Sequence, residues 1–433
     1  MKNYIYSNWG KNTHYKKKIL SPKTLANLKK INKSSKNGFG ICGNLRSFGD
    51  TCINKNNLIS LKNFNKKIHL DKKKSLIEIS SNCLLVDVLK NIIPEGYMLP
   101  VTPGSKYVTI GGMIANNVIG KNSKNNQLKL YIKEISILTS NNKIIVCTKK
   151  INKKIFDLTI GGFGLSGIIL SAKLIVKKIK SQLIKQTIYK FRNIKDFNSI
   201  SKKNTTFSVA WIDSHSLNKG KFTGLFYFGE YAKEKKVPKE FEYKNSKISW
   251  FEKKFLSFYI RNFRFSNIIN KLFVFSSKKS ALVNFDNFFY PQDKWLNFND
   301  CYVDGLFQVQ FLVAEKKFYK IVKDISLFFN KYHIKSTFII IKKMNENGKY
   351  LNFKGKGYSI SFDFEKNNNY SIIKKFFNEI FHNYQLQVNF SKDIIANGNL
   401  LKNNPSFIEF KKDLKSIDKK KNYKNEFSTR LQI

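Results

Sequence analysis

The residues best placed to do chemistry in this chain are glycines, in three clusters that precede residue 170. The first is Gly43-Asn44-Leu45-Arg46-Ser47-Phe48-Gly49-Asp50, and the third is Gly161-Gly162-Phe163-Gly164-Leu165-Ser166-Gly167. Between them, Leu99 to Asn122 strings Pro103-Gly104, Gly111-Gly112 and Gly120 through a stretch without one carboxylate. Glycine turns sharply and lets backbone N–H groups approach a ligand that a Cβ would hold off. Successive turns of this kind cradle phosphate oxygens. Three of them point to one large, elongated, anionic cofactor.

Other chemistries have thinner support. The five cysteines (Cys42, Cys52, Cys83, Cys147, Cys301) are odd in number, and no two stand at a metal-ligand spacing. They read as reduced thiols, with no metal and no disulfide framework, in a reducing compartment. The five histidines, His14, His69, His215, His333 and His382, read as surface or core residues rather than bases. The formal charge is +50, from 79 Lys and Arg against 29 Asp and Glu. Alone, that balance admits a basic protein that binds nucleic acid or an anionic surface. The lysines are nonetheless scattered among abundant Asn, Ile and Phe, the composition an A+T-rich genome imposes on any protein. No nucleic-acid partner is expected. The field still favours anionic lipid or a phosphorylated substrate.

The elements that must position the glycine clusters are short and mixed. Ser21 as N-cap and Pro22 in the first turn open a helix through Lys30. Phe39 to Cys42 is a buried strand feeding the first cluster. Residues 67–70 and 75–79 alternate as strands, and Leu84 to Ile93 is helical. Residues 131–139 and 143–148 form a hairpin around Asn141-Asn142, and Ile168 to Val176 is a strand that alternates less cleanly. Beyond residue 180 glycines thin and aromatics rise. Phe207 to Asp213 and Leu306 to Val313 read as strands. Ser359 to Phe364 alternates strictly, as an antiparallel strand with one face in the core does. Lys316 to Tyr332 and Tyr370 to Tyr384 read as helices over that sheet, and Lys411 to Asn425 as a solvated face. The 433 residues allow two or three domains. Met1 to Tyr6 lacks the apolar core of a leader, and no run of about 18 apolar residues occurs. The expected place is the cytoplasm, with peripheral contact on the inner face of the cell membrane left open.

Asn8-Trp9-Gly10, Arg46-Ser47-Phe48-Gly49-Asp50, Pro100-Val101-Thr102-Pro103-Gly104, Val108-Thr109-Ile110-Gly111-Gly112, Gly120-Lys121-Asn122 and the third glycine cluster follow in order. Ala210-Trp211-Ile212-Asp213, Phe288-Phe289-Tyr290-Pro291, Gln308-Val309-Gln310-Phe311 and Ser391-Lys392-Asp393 continue the series. In this set and order, over nearly its whole length, the chain resembles the flavin oxidoreductases of the vanillyl-alcohol-oxidase type. Their FAD-binding domain is of the p-cresol-methylhydroxylase (PCMH) kind. Among them it is most similar to the decaprenylphosphoryl-β-D-ribose 2-oxidases, flavin subunits of a lipid-linked pentose epimerase. The resemblance implies an α+β fold: a two-subdomain PCMH-type FAD-binding domain over 1–178, completed by 388–433, and an α+β substrate domain with an antiparallel sheet over 179–387.

It also implies roles. FAD would lie extended, its diphosphate held by main-chain N–H groups of Cys42, Gly43, Asn44, Leu45, Arg46, Ser47, Phe48, Gly49 and Asp50 on one side. Gly104 with Thr109, Ile110, Gly111 and Gly112 would hold it on the other. Ile119, Gly120, Lys121 and Asn122 would lie near the flavin ring, and Ile168 or Ile169 near the adenine. Lys392 is the leading catalytic candidate, an ammonium that polarises the substrate oxygen or holds the charge of reduced flavin. Lys342 and Gln310 rank next. Gln308, which shares a strand face with Gln310 at a spacing of two, joins Ser359 and Ser361 as substrate contacts.

Departures from the family pattern narrow the expectation. Ile119 stands where the family often has a histidine, so FAD is expected to be non-covalent, and Ser123 replaces another common histidine. Leu45 replaces a frequent glycine, Phe48 lacks a tyrosine hydroxyl, and Ser359 and Ser361 replace larger pocket residues. The implied reaction is hydride transfer from a sugar carbinol to flavin N5, on a polyprenyl-phosphate-linked pentose. It would be the first half of a 2'-epimerisation in cell-envelope polysaccharide synthesis, completed by an NAD(P)H-dependent short-chain reductase. The alternative is an oxidase of a free soluble sugar, an alditol or aldonolactone.

Overall fold

The computed structural model describes residues 5–34, 38–233, 240–241, 243 and 245–433. Met1 to Tyr4, part of the segment read for a leader, lie outside them. Three short strands, β1 (Ile19–Leu20), β2 (Gly40–Cys42) and β3 (Leu58–Ser60), make a parallel sheet in the order β1-β3-β2. β1 and β2 flank β3, each parallel to it, and helix α1 (Leu25–Ser34) carries the chain from β1 to β2. It begins later than predicted. Thr24, not Ser21, accepts the Asn27 N–H at 3.2 Å, and Ser21 and Pro22 stay outside the helix.

β4 (Ile68–Asp71), β5 (Leu76–Ser80), β6 (Ile132–Leu138), β7 (Ile144–Thr148) and β8 (Ile168–Ile175) form an antiparallel sheet ordered β7-β6-β8-β5-β4. Helices α2 (Leu85–Ile92) and α3 (Ile110–Ala115) pack their apolar faces on it, with Ile77, Ile79, Leu89, Ile114 and Ile135 in one core. The uneven alternation of β8 has a cause. Its register against β6 shifts between Ile169 and Ser171 and again between Lys173 and Leu174, and such bulges change the face a residue presents.

The second half is one antiparallel sheet of eight strands. β9 (Leu183–Phe191), β10 (Phe207–Ile212), β11 (Gly224–Tyr231), β12 (Ser280–Asn284), β13 (Leu306–Val313), β14 (Phe338–Glu346), β15 (Gly355–Glu365) and β16 (Gln387–Val388) run in the order β12-β9-β11-β10-β14-β15-β13-β16. Helices α4 (Trp250–Arg261), α5 (Phe263–Ser276) and α6 (Phe285–Phe289) interrupt the strands between β11 and β13. α7 (Glu315–Lys331) and α8 (Tyr370–Tyr384) cover one sheet face, where Phe307, Phe311, Ile341, Phe362 and Phe364 meet Ile325 and Phe377.

All of β13 is buried. Strict alternation in Ser359 to Phe364 predicts a polar face toward water, and here the structure differs. Ser359, Ser361 and Asp363 are buried too, because that face is roofed by the first half of the chain. A second correction concerns 411–425, read as a solvated face. α9 (Pro405–Ile417) is followed by a return into the interior. Tyr423 pairs beside Phe39 and donates to the Leu138 carbonyl at 3.2 Å. Asn425 donates to the carbonyls of Thr51 and Phe163 at 3.0 and 2.9 Å, and α10 (Glu426–Arg430) follows. One core therefore joins Phe163, the eight-stranded sheet, Phe410 and Phe427. The fold is α+β throughout.

Candidate active site

Between the loops of the first half and the inner face of the eight-stranded sheet runs a cleft of about 930 Å³. One end is built from the first two glycine clusters. Cys42, Gly43, Asn44, Leu45, Arg46, Ser47 and Phe48 line it. Leu45 has φ +51°, the left-handed conformation that glycine adopts without a Cβ penalty. A left-handed residue helps turn successive N–H groups toward one concavity. Among the described residues, the N–H groups of Asn44, Leu45, Arg46, Gly104 and Ser105 donate to no protein acceptor. The two loops touch: a Cβ on Gly43 would sit 2.2 Å from Thr109 Oγ1. At Gly104 a Cβ would meet nothing within 4 Å. Arg46 is fixed over the Trp9 ring at 4.1 Å and donates to the Leu296 carbonyl at 3.1 Å. Unclaimed N–H donors around a glycine-wide gap fit the diphosphate of FAD.

The second loop serves differently from expectation. The Ile110 N–H donates to Cys83 at 3.0 Å, that of Gly111 to Ser81 at 2.8 Å, and that of Gly112 to Thr109 Oγ1 at 3.1 Å. α3 has spent these donors on its own packing and cap, so Thr109, Gly111 and Gly112 line the cleft by shape. Ile110 is fully buried in the core instead. Five other expected contacts also stand off the wall. Gly49 packs on the Lys392–Asp393 backbone, where a Cβ would come within 2.8 Å of the Asp393 carbonyl. Asp50 receives Arg430 Nε at 2.7 Å. The Gly120 carbonyl accepts Lys342 Nζ at 3.1 Å, and Asn122 donates to Pro100 at 3.0 Å. Ile168 turns into the core with Leu138 and Phe39, and its neighbour Ile169 takes the wall.

The other end is the inner face of β13, β14 and β15. Gln308, Gln310, Lys342, Ser359 and Ser361 line it, brought together by register: Gln310 lies opposite Ser361 and Lys342 opposite Ser359. Gln310 donates to Ser359 Oγ at 2.7 Å and accepts from Asn389 Nδ2 at 2.8 Å. Ser391 Oγ donates to Asn389 Oδ1 at 2.7 Å, and Ser47 Oγ to the Ser391 carbonyl at 2.5 Å. This chain ties the cofactor loop to the sheet and holds the 389–393 turn that carries Lys392. Gln308 donates to Asp363, while its Oε1, buried, has no partner among the described residues. That oxygen is ready to accept from a hydroxyl.

Three lysines, Lys121, Lys342 and Lys392, share this end. Burial pushes Lys121 and Lys342 down to about 7, and Lys392 and Lys121 add like-charge repulsion at Lys342. Burial also lowers Lys392, against the pull of Asp363. Burial pushes Asp363 up to about 6, with the Gln308 hydrogen bond and Lys392 opposing. Lys392 Nζ stands 5.6 Å from the Phe48 ring centre. Ile119 lines the cleft, and none of the five histidines does. Among the described residues no cluster of His, Cys, Asp and Glu could hold a metal.

Sequence reasoning missed Asp363 and Asn389. Asp363 continues the spacing of two that singles out Ser359 and Ser361, so the strand's period carried its signal. Asn389 sits in a turn whose partner strand is 79 positions away, and no local pattern marks it. It also missed the apolar wall of Trp211, Tyr227 and Phe273.

Comparison with known proteins fits this geometry. Residues 19–148 match the family model of an FAD binding domain. A decaprenylphosphoryl-beta-D-ribose oxidase of Mycolicibacterium smegmatis is 26% identical over 297 residues, 65% of each chain. A D-lactate dehydrogenase of Anaerostipes hadrus is 28% identical over 145 residues, 32% of this chain and 30% of the relative. Cytokinin dehydrogenase 2 of Arabidopsis thaliana is 27% identical over 108 residues, 25% of this chain and 22% of the relative. The chain thus spans less than two thirds of the length of each of these three relatives. With the unclaimed donors around Leu45 and Gly104, the match marks residues 19–148 as an FAD binding domain.

Proposed function

We propose that the protein is an FAD-dependent oxidoreductase that oxidises a sugar hydroxyl to a ketone, on a pentose carried by a polyprenyl phosphate. The observation that carries this reading is the inner sheet face: Gln308, Gln310, Ser359, Ser361 and Asp363 set hydrogen-bonding groups across the cleft from the FAD loops. Such a surface suits a polyhydroxylated substrate, and the similarity to a ribose oxidase supports the pentose. Bound FAD supplies the hydride acceptor. Gln308 Oε1 accepts from a substrate hydroxyl and orients the ring. Lys392, its charge supported by Asp363, polarises the reacting oxygen and stabilises negative charge as it develops. Burial and like-charged neighbours lower Lys342 to about 7, which suits its Nζ to take the hydroxyl proton. Ile119 offers no atom for a flavin link, so FAD is held non-covalently and acid precipitation releases it.

The ketone would be reduced by an NAD(P)H-dependent short-chain reductase, giving net 2'-epimerisation at the inner face of the cell membrane, for cell-envelope polysaccharide. Among the described residues no helix is long and apolar enough to cross a membrane. The test is anaerobic bleaching of the flavin absorbance with polyprenyl-phosphoryl pentoses and with free polyols. Bleaching by the lipid-linked pentose is expected. Bleaching only by an alditol or aldonolactone would replace this reading with a soluble-substrate oxidase.

A further inference from the structure

The hairpin of α4 and α5 wears its apolar residues outside. Phe251, Phe255 and Phe258 recur at i, i+4 and i+7 along α4, and Ile268, Leu272 and Phe275 do the same along α5. These six are 50% to 85% exposed. What α5 turns inward is Ser266 and Asn270, the reverse of an amphipathic helix on a soluble body. Those inner residues are fully engaged. Ser266 Oγ lies 3.0 Å from His215 Nε2. Asn270 donates to Asp213 and accepts from the Tyr259 hydroxyl, both at 2.7 Å. On α4, Ser257 bonds the Cys301 carbonyl at 2.9 Å and Arg261 pairs with Glu365 at 3.0 Å. The hairpin is bolted down by polar bonds, so the apolar stripes are presented rather than misplaced.

Charge says what they are presented to. From Lys247 to Lys279 there are eight basic residues and one acid, and Lys254 sits 3.9 Å over the Trp250 ring. Aromatic and aliphatic stripes flanked by Lys and Arg are what an interfacial helix pair needs at an anionic headgroup layer. A second copy of this chain would set one basic patch against another, which like charges oppose. The end of α5 itself reaches the cleft beside the stripe: Phe273, Ser276 and the following Ser277 line it. We propose that the α4–α5 hairpin docks on an anionic lipid bilayer and holds the cleft mouth against it. Its purpose, delivery of a lipid-linked sugar without passage through water, rests on the function proposed above.

The test is co-sedimentation of the full-length holoprotein with phosphatidylcholine vesicles, with and without phosphatidylglycerol. Wild type should pellet with the anionic vesicles. The Phe251→Ser/Phe255→Ser/Phe275→Ser variant should lose at least about tenfold in partitioning while keeping its flavin absorbance and melting temperature. Overturning results are a wild type that stays in the supernatant, a triple variant that pellets as wild type does, or a wild-type dimer that the substitutions convert to a monomer. Flavin bleaching in detergent separates the two proposals. Bleaching without vesicle binding removes the docking surface alone, and vesicle binding without bleaching by any lipid-linked sugar removes the substrate alone.

Discussion

Lys392 and Lys342 divide the chemistry because their surroundings differ. Asp363 supports the charge of Lys392, while Lys342 has like-charged neighbours and, among the described residues, only the Gly120 carbonyl as a hydrogen-bond partner. Lys392→Ala should keep FAD bound and lower kcat by about 10²-fold or more, the scale of losing one electrostatic contact to a developing oxyanion. The same change removes a repulsive charge from Lys342, so the Lys342 pKa rises above about 7. A base acts when deprotonated, so the rising limb of the pH profile for flavin reduction should move to higher pH. A limb that stays in place while turnover falls would remove Lys342 as the proton acceptor. At this scale the sequence was legible where period and motif coincide, as at Gln308 and Gln310. At Ile168 and Ile169 it left both open, because the bulge that follows them decides which one faces the cleft, and one strand's residues do not reveal it.

The two cofactor loops show what a glycine does by its neighbours. At Gly43 an added Cβ meets Thr109 Oγ1 at 2.2 Å, whereas at Gly104 it meets nothing within 4 Å. Gly43→Ala should therefore strain the apoprotein as well as FAD binding. Gly104→Ala should leave the melting temperature of the apoprotein unchanged yet weaken FAD binding at least about tenfold, or about 1.4 kcal/mol. Equal FAD affinity in Gly104→Ala would move the cofactor away from this loop. The elements themselves were mostly readable. Apolar periodicity marks α2, α7, α8 and the β6–β7 hairpin, because one face of each meets a core. What the periodicity cannot say is which donors α3 keeps for itself: Ser81 and Cys83, which take the Gly111 and Ile110 N–H groups, precede it by a whole helix. Nor does alternation in β15 distinguish water from a roofed cleft.

The whole molecule closes through Arg430. Its Nε meets Asp50 at 2.7 Å and its Nη1 meets Asp393 at 3.0 Å, joining the back of the first cofactor loop to the turn that bears Lys392. Asp393 is fully buried and Asp50 nearly so. Arg430→Ala would strand both carboxylates, which costs about 3–5 kcal/mol for a broken buried pair. Urea unfolding should show that loss, with Arg430→Lys recovering part of it; unchanged stability would mean that solvent reaches the pair. This closure could not be read from the sequence, because the two ends of the contact lie 380 positions apart. It also sets a timetable for biosynthesis. Every residue of the first glycine cluster leaves the ribosome long before Arg430 exists to brace it. Cofactor capture must wait until synthesis has passed residue 430, so nascent chains stalled upstream should emerge colourless.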